Sequence, residues 1–110
     1  MQPTLNLTFR HVARSAALEA HARDVASRLQ RIEQLISRCH LTIESLGDGA
    51  HPEPTYVVKI ELTVPGAQIH ADSLRADSSG HASLYQAMRE AYDDARRQLH
   101  HLRSDRAKPA

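Results

Sequence analysis

Residues 55–64 read TYVVKIELTV, and Pro65-Gly66 follow at once. Tyr56, Val58, Ile60, Leu62 and Val64 fall on one side of an extended chain, and Lys59, Glu61 and Thr63 on the other. A strand of this pattern buries one face and leaves the other in water, which argues for an antiparallel sheet covered on one side only. Proline presets φ at the first corner of a tight turn, and glycine accepts the positive φ that the second corner needs. The chain should therefore return at once as a hairpin through AQIHADSL, residues 67–74.

Two further alternating stretches predict strands. TLNLTF (4–9) places Leu5, Leu7 and Phe9 on one side, and CHLTIESL (39–46) does the same through Leu41 and Ile43. Between them Ser15 stands where an N-cap belongs, before AALEAHARDVASRLQRIEQLISR. Leu18, Ala22, Val25, Leu29, Ile32 and Ile36 form one apolar stripe there, predicting an amphipathic helix of about six turns that ends near Arg38. A second helix is expected from Ser83 or Ala82, with the stripe Leu84, Ala87, Met88, Ala91, Ala95, Leu99 and Leu102. GDGAHPEP (47–54) and RADSSGHAS (75–83) read as loops.

The predicted order is β-α-β-β-β-α. A helix joins the first strand to the second, so that pair should be parallel, and the last three strands should form an antiparallel meander. Both helices need an apolar surface, and a single sheet face can serve both. The expected fold is an α+β two-layer sandwich, a four-stranded sheet with two helices on one face. With 110 residues the chain fits one domain. It is expected over residues 1–104, with 105–110 as a flexible tail.

Bulk properties narrow the function. Hydrophobic residues are 41% and charged residues 25% of the chain, as in ordinary soluble domains. No apolar run reaches a membrane span and MQPTLNLTFR lacks the pattern of a signal peptide, so a cytoplasmic location and no membrane partner are expected. The single cysteine, Cys39, excludes an internal disulfide and a multi-cysteine zinc site. Adjacent residues of a strand face opposite ways, which disfavours Cys39 and His40 as a nucleophile pair. None of the eight histidines forms an i, i+4 helical pair, so no metal site is expected. Patterns for a P-loop, a dinucleotide fold or a nucleophile elbow are missing, so neither an enzyme, a cofactor nor a small-molecule substrate is expected. A hydrolase built on Asp93, Asp94 and His100 is disfavoured because Asp94 and His100 point to opposite sides of a helix.

A net charge of +1 speaks for nucleic acid only if the cations are segregated. On a helical projection Arg28, Arg31 and Arg38 share one flank of the first helix, Glu19 and Glu33 take the other, and Asp24 breaks the pattern. On the second helix Arg89, Arg96 and Arg103 recur every seven residues, with His100 near them and Tyr85 and Tyr92 on the same side. Glu90 and Asp94 take the opposite flank, and Asp93 and Arg97 face solvent. Such a stripe can hold phosphates and stack on exposed bases or riboses, or it can be a solvated helix face whose charges balance one another. Spacing alone leaves both readings open.

Three stretches then carry a family resemblance over about residues 4 to 103: RHVARSAALEAHARDVASRLQRIEQ, TYVVKIELTVPGAQIHA and LYQAMREAYDDARRQLHHL. The chain resembles the ribosome hibernation promoting factors, also called ribosome-associated inhibitor or sigma-factor modulation proteins, in their short form. The resemblance implies a fold similar to a double-stranded-RNA-binding domain. It further implies binding to the small ribosomal subunit in its decoding channel, where such proteins block messenger and transfer RNA and keep ribosomes idle under stress, as in stationary phase. The carriers it implies are Arg23, Arg28, Arg31 and Arg38 from the first helix, and Arg89, Arg96, Arg97 and Arg103 from the second, with Tyr85 and Tyr92 beside them. Longer relatives continue into a dimer-forming domain, so this chain is expected to be monomeric in isolation. The alternative is a protein-interaction module that uses the open sheet face or an edge strand, without RNA.

Overall fold

The computed structural model describes residues 4–45, 55–73 and 83–107, with side chains described through residue 104. The order is β1 (Thr4–Arg10), α1 (Ala16–Ile32), β2 (Arg38–Ser45), β3 (Tyr56–Val64), β4 (Ala67–Asp72) and α2 (Leu84–Ala107). The strands lie in sequence order in one sheet. β1 pairs parallel with β2, and β2–β3 and β3–β4 are antiparallel, as the connections require. The stretches 47–54 and 75–82, expected as loops, lie outside the described residues.

One face of this sheet carries the core. Cys39, Leu41 and Ile43 of β2, Val58, Ile60, Leu62 and Val64 of β3, and Ile69 and Ala71 of β4 meet Leu18, Ala22, Val25 and Leu29 of α1 and Ala87, Met88, Ala91, Ala95 and Leu99 of α2. Leu5, Leu7 and Phe9 of β1 pack against them, on the side that the alternation predicts. The opposite face shows Lys59 and Glu61 to solvent. Val57 shares the register side of Lys59 yet is buried, outside the main core cluster. Gly66 takes φ +79° between Val64 and Ala67, which closes the β3–β4 hairpin as the Pro-Gly pair predicts.

Helix α1 starts where expected: the Ser15 hydroxyl accepts from the Leu18 amide at 3.1 Å. It stops earlier than its apolar stripe suggests. Glu33 turns to an extended conformation at φ −134°, and its carboxylate accepts from the Leu35 amide at 3.0 Å. Ile36 stays buried without being helical. The reason is register: Thr4 pairs with Arg38 and Arg38 with Thr63, so the chain must be extended by residue 38. Arg38 is thus a strand residue. Its neighbour Cys39 points into the core, so Arg38 lies on the open sheet face, away from both helices. The expected placement of Arg38 on the arginine flank of α1 is corrected accordingly.

Helix α2 runs to Ala107, three residues into the stretch expected as a tail. It also seals an edge of the sheet. Alternate groups of β4 point outward, and α2 meets them: the Asp72 amide donates to Asp94 Oδ2 at 3.3 Å, and Gln98 Nε2 donates to the His70 carbonyl at 2.8 Å. Gln98 also donates to the same Asp94 oxygen at 3.2 Å. An edge strand dressed in this way is a poor template for another chain. Asp94, expected on a charged outer flank, is only 5% exposed and serves as this bracket. Asp94→Ala leaves the half-buried Asp72 and Gln98 donors unmatched and should lower unfolding free energy by about 1 kcal/mol in urea titration, with Asp94→Asn losing less.

Cys39 is 2% exposed, and burial pushes its thiol up from the ordinary 9.0 to about 12. The folded state therefore keeps the thiol protonated where the unfolded chain ionises it. This contribution is fully present below pH 9 and is lost as pH rises from 9 toward 12. Between those limits the native chain should lose up to about 1.4 kcal/mol per pH unit relative to Cys39→Ala, measured by urea unfolding at stepped pH.

Candidate nucleic-acid interface

The two helices lie side by side and run in the same sense, because each follows a strand that points the same way and returns over the same sheet face. The arginine side of α2 therefore faces α1. His21, Asp24, Val25 and Arg28 from α1 and Tyr85, Arg89 and Tyr92 from α2 line one groove with a cavity of about 290 Å³. Seven-residue spacing explains this alignment, since two helical turns bring Tyr85 to Tyr92 and Arg89 to Arg96 with little angular drift.

Tyr85 is 52% exposed, unusual for so large a ring, yet it is not loose. Its ring centroid lies 4.9 Å from that of His21, with the planes at 84°. This edge contact orients the tyrosine across the groove mouth. Tyr92 is half-buried and packs against the core. Arg28 Nε donates to Asp24 Oδ2 at 3.0 Å, so the acid that broke the basic pattern of α1 instead steadies one of its arginines. Arg96 approaches Asp93 only to 3.9 Å, a contact across water-exposed side chains.

Four other arginines have different surroundings. Arg103 Nη1 donates to the Ile32 carbonyl at 2.7 Å, which caps the last turn of α1 and ties the two helices together. Arg31 borders a shallow depression with Ser27, Gln30, Gln34 and Leu35, where Leu35 is 58% exposed. Arg23 is exposed but lies five residues before Arg28, about 140° round the helix from the groove. Arg97 is exposed about 100° past Arg96, turned further from α1. The site thus gathers Arg28, Arg89, Tyr85 and Tyr92 and leaves Arg23, Arg31, Arg38 and Arg97 outside it. His21 is the groove residue that sequence reasoning missed. Its signal was available, since it falls on the same helical flank as Arg28.

The expected lack of a Cys–His pair agrees with the geometry. Cys39 is in the core, while His40 lies on the open face, its Nε2 2.8 Å from Thr8 Oγ1. Among the described residues no group of three or more His, Cys, Asp or Glu side chains is placed to hold a metal ion. Asp94 is taken up by β4 and Gln98, and it does not join Asp93 and His100 in a cluster.

Residues 5–107 match the family model described as sigma 54 modulation protein/S30EA ribosomal protein. Comparison with curated protein sequences gives no match. Among solved structures, a ribosomal subunit interface protein from Coxiella burnetii aligns with TM-score 0.70 at 18% identity, covering 92% of this chain and 98% of that one. The N-terminal domain of Thermus thermophilus Protein Y aligns with TM-score 0.71 at 17% identity, covering 92% and 99%. At such identities the likeness is one of fold.

The two kinds of arginine on α2 separate experimentally. Arg103→Met removes a charged donor from a helix-terminal carbonyl and should cost about 1 kcal/mol in urea unfolding. Arg89→Met removes no such bond and should leave stability within about 0.5 kcal/mol of the parent.

Proposed function

The chain belongs to the sigma 54 modulation protein/S30EA ribosomal protein family, and from that premise we propose that it is a ribosome-associated hibernation factor acting in the cytoplasm, which binds the small subunit through rRNA and blocks translation. The observation that carries this reading is the joint lining of one interhelical groove by Arg28, Arg89, Tyr85 and Tyr92. Two acids that would repel a phosphate backbone are drawn away from it. Asp94 is bonded to β4 and Glu33 is folded under the end of α1. Asp24 stays in the groove lining, where it pairs with Arg28 at 3.0 Å.

The mechanism is occlusion. Guanidiniums on the helix face take rRNA phosphates, which fixes position, and the folded body fills the mRNA and tRNA channel. Arg28 and Arg89 are the central contacts, with Arg96 and Arg103 continuing the α2 stripe. Arg31, Arg23 and Arg97 contribute from the periphery. No reaction is required, and no cofactor or small-molecule substrate enters. The open sheet face fits RNA less well. Arg38, His40, Glu44, Lys59, Glu61, His70 and Asp72 alternate in sign across it.

Co-sedimentation with small subunits at stepped salt tests the proposal. Binding should weaken steeply as salt rises, because neutralised phosphates release counterions. Arg28→Glu and Arg89→Glu should each lower affinity and reduce the logarithmic salt slope by roughly one, whereas Arg38→Glu should leave both near the parent. Absence of association by the parent chain at low salt would refute the proposal. Equal losses from Arg38→Glu and Arg89→Glu would move the contact to the sheet.

A further inference from the structure

The geometry points to the groove between α1 and α2 as a receptor for one unpaired nucleotide, its base against the Tyr85 and Tyr92 rings and its phosphate on Arg28 and Arg89. When the nucleotide belongs to an RNA strand, this inference rests on the rRNA reading above and names what the groove takes from that RNA. When the nucleotide is free, it stands without it.

Size argues first. A cavity of about 290 Å³ lies at the small end of ligand sites, which begin near 300 Å³, and suits a base with its sugar rather than a duplex. Chemistry argues next. Two tyrosines and a histidine ring share the lining with two guanidiniums and one carboxylate. Aromatic rings accept the face of any base, and guanidiniums take the phosphate. The carboxylate offsets one charge only: Asp24 pairs with Arg28 through Nε at 3.0 Å, and two guanidiniums less one carboxylate leave the lining at +1. A guanidinium has five N–H donors, so its terminal amino groups are the ones a phosphate would meet.

Preorganisation argues last. An aromatic ring that is 52% exposed gains little from burial in the free protein, yet His21 holds Tyr85 at 4.9 Å and near a right angle. A ring fixed in advance loses little freedom when a base stacks on it. The neighbouring depression of about 550 Å³ beside Leu35 is larger but has one arginine and no aromatic ring, so it offers a nucleotide nothing comparable.

The chain has only three tyrosines, and Tyr56 packs on the sheet, which supplies an internal control for ring NMR signals. The full chain is titrated separately with AMP, a single-stranded RNA hexamer, a blunt RNA duplex and inorganic phosphate. AMP, the hexamer or both should shift the Tyr85 and Tyr92 ring signals and leave Tyr56 in place, while phosphate and the duplex should not. A shift with AMP assigns a free nucleotide as sufficient, and a shift with the hexamer alone assigns a strand. Tyr85→Ala should weaken the responding ligand by about tenfold, as loss of one stacked base predicts, and Tyr85→Phe should retain it.

Unmoved rings with both AMP and the hexamer overturn the inference, as do equal shifts with phosphate. Subunit co-sedimentation run in parallel separates the two proposals. Normal sedimentation with unmoved rings sinks the nucleotide receptor and spares ribosome binding. Shifted rings without sedimentation do the reverse.

Discussion

Everything in this molecule rests on the single apolar face of a four-stranded sheet. Period-two alternation in the strands sends nearly every Leu, Ile and Val to one side, Val57 being the exception, and among the described residues both helices pack on that side. Both helices must therefore share that face. The parallel β1–β2 pair forces α1 to cross over the sheet, and the meander brings α2 back over the same side. Two helices sharing one face lie next to each other, and a groove between them is the unavoidable result. What the groove can do then depends on which residues flank each apolar stripe.

Polar side chains at the periphery have mostly structural employment. Asp94 and Gln98 match the outward groups of β4. At the other edge of the sheet Arg14 reaches the Leu7 carbonyl at 3.5 Å, covers the Phe9 ring at 4.7 Å and pairs with Glu19 at 3.0 Å. Both edge strands thus carry side-chain partners from helical or connecting segments, the usual protection against strand addition. This weakens the case for an interaction module that works through a sheet edge. Arg103 on the Ile32 carbonyl belongs to the same class, closing the helix pair at one end while the His21–Tyr85 contact orders the other.

Removing these groups from the solvated surface changes its electrostatic character. A net charge of +1 promises little, and the linear sequence sets acids beside bases. Folding sorts them. Asp94 and Glu33 leave the outer surface, Asp24 is matched by Arg28, and Arg28 and Arg89 are left across a groove from one another with aromatic rings between. A weakly charged protein can thereby present a local basic and aromatic strip, which is the footprint that single-stranded or extruded nucleotides require. Of the adjacent acids Asp93 and Asp94, only Asp93 stays on the outer surface of the helix.

Strand order, both helices, the parallel first pair and the glycine turn were legible in the residues, because alternation, the 3.6-residue stripe, Ser15 and Pro65-Gly66 are local signals that tertiary packing here reinforces. The three-arginine stripe of α2 and its tyrosines were legible too, since spacing by seven survives any packing. The end of α1 was not. Its apolar stripe continues through Ile36, but pairing of Arg38 with Thr4 and Thr63 demands extended chain, and long-range hydrogen bonds override local periodicity. That override carried Arg38 to the far side of the sheet. Nor could the sequence say that Arg28 and Arg89 meet across one groove or that Asp94 turns inward. Those facts depend on how two helices sit on a shared surface, which the pattern of either helix alone does not contain.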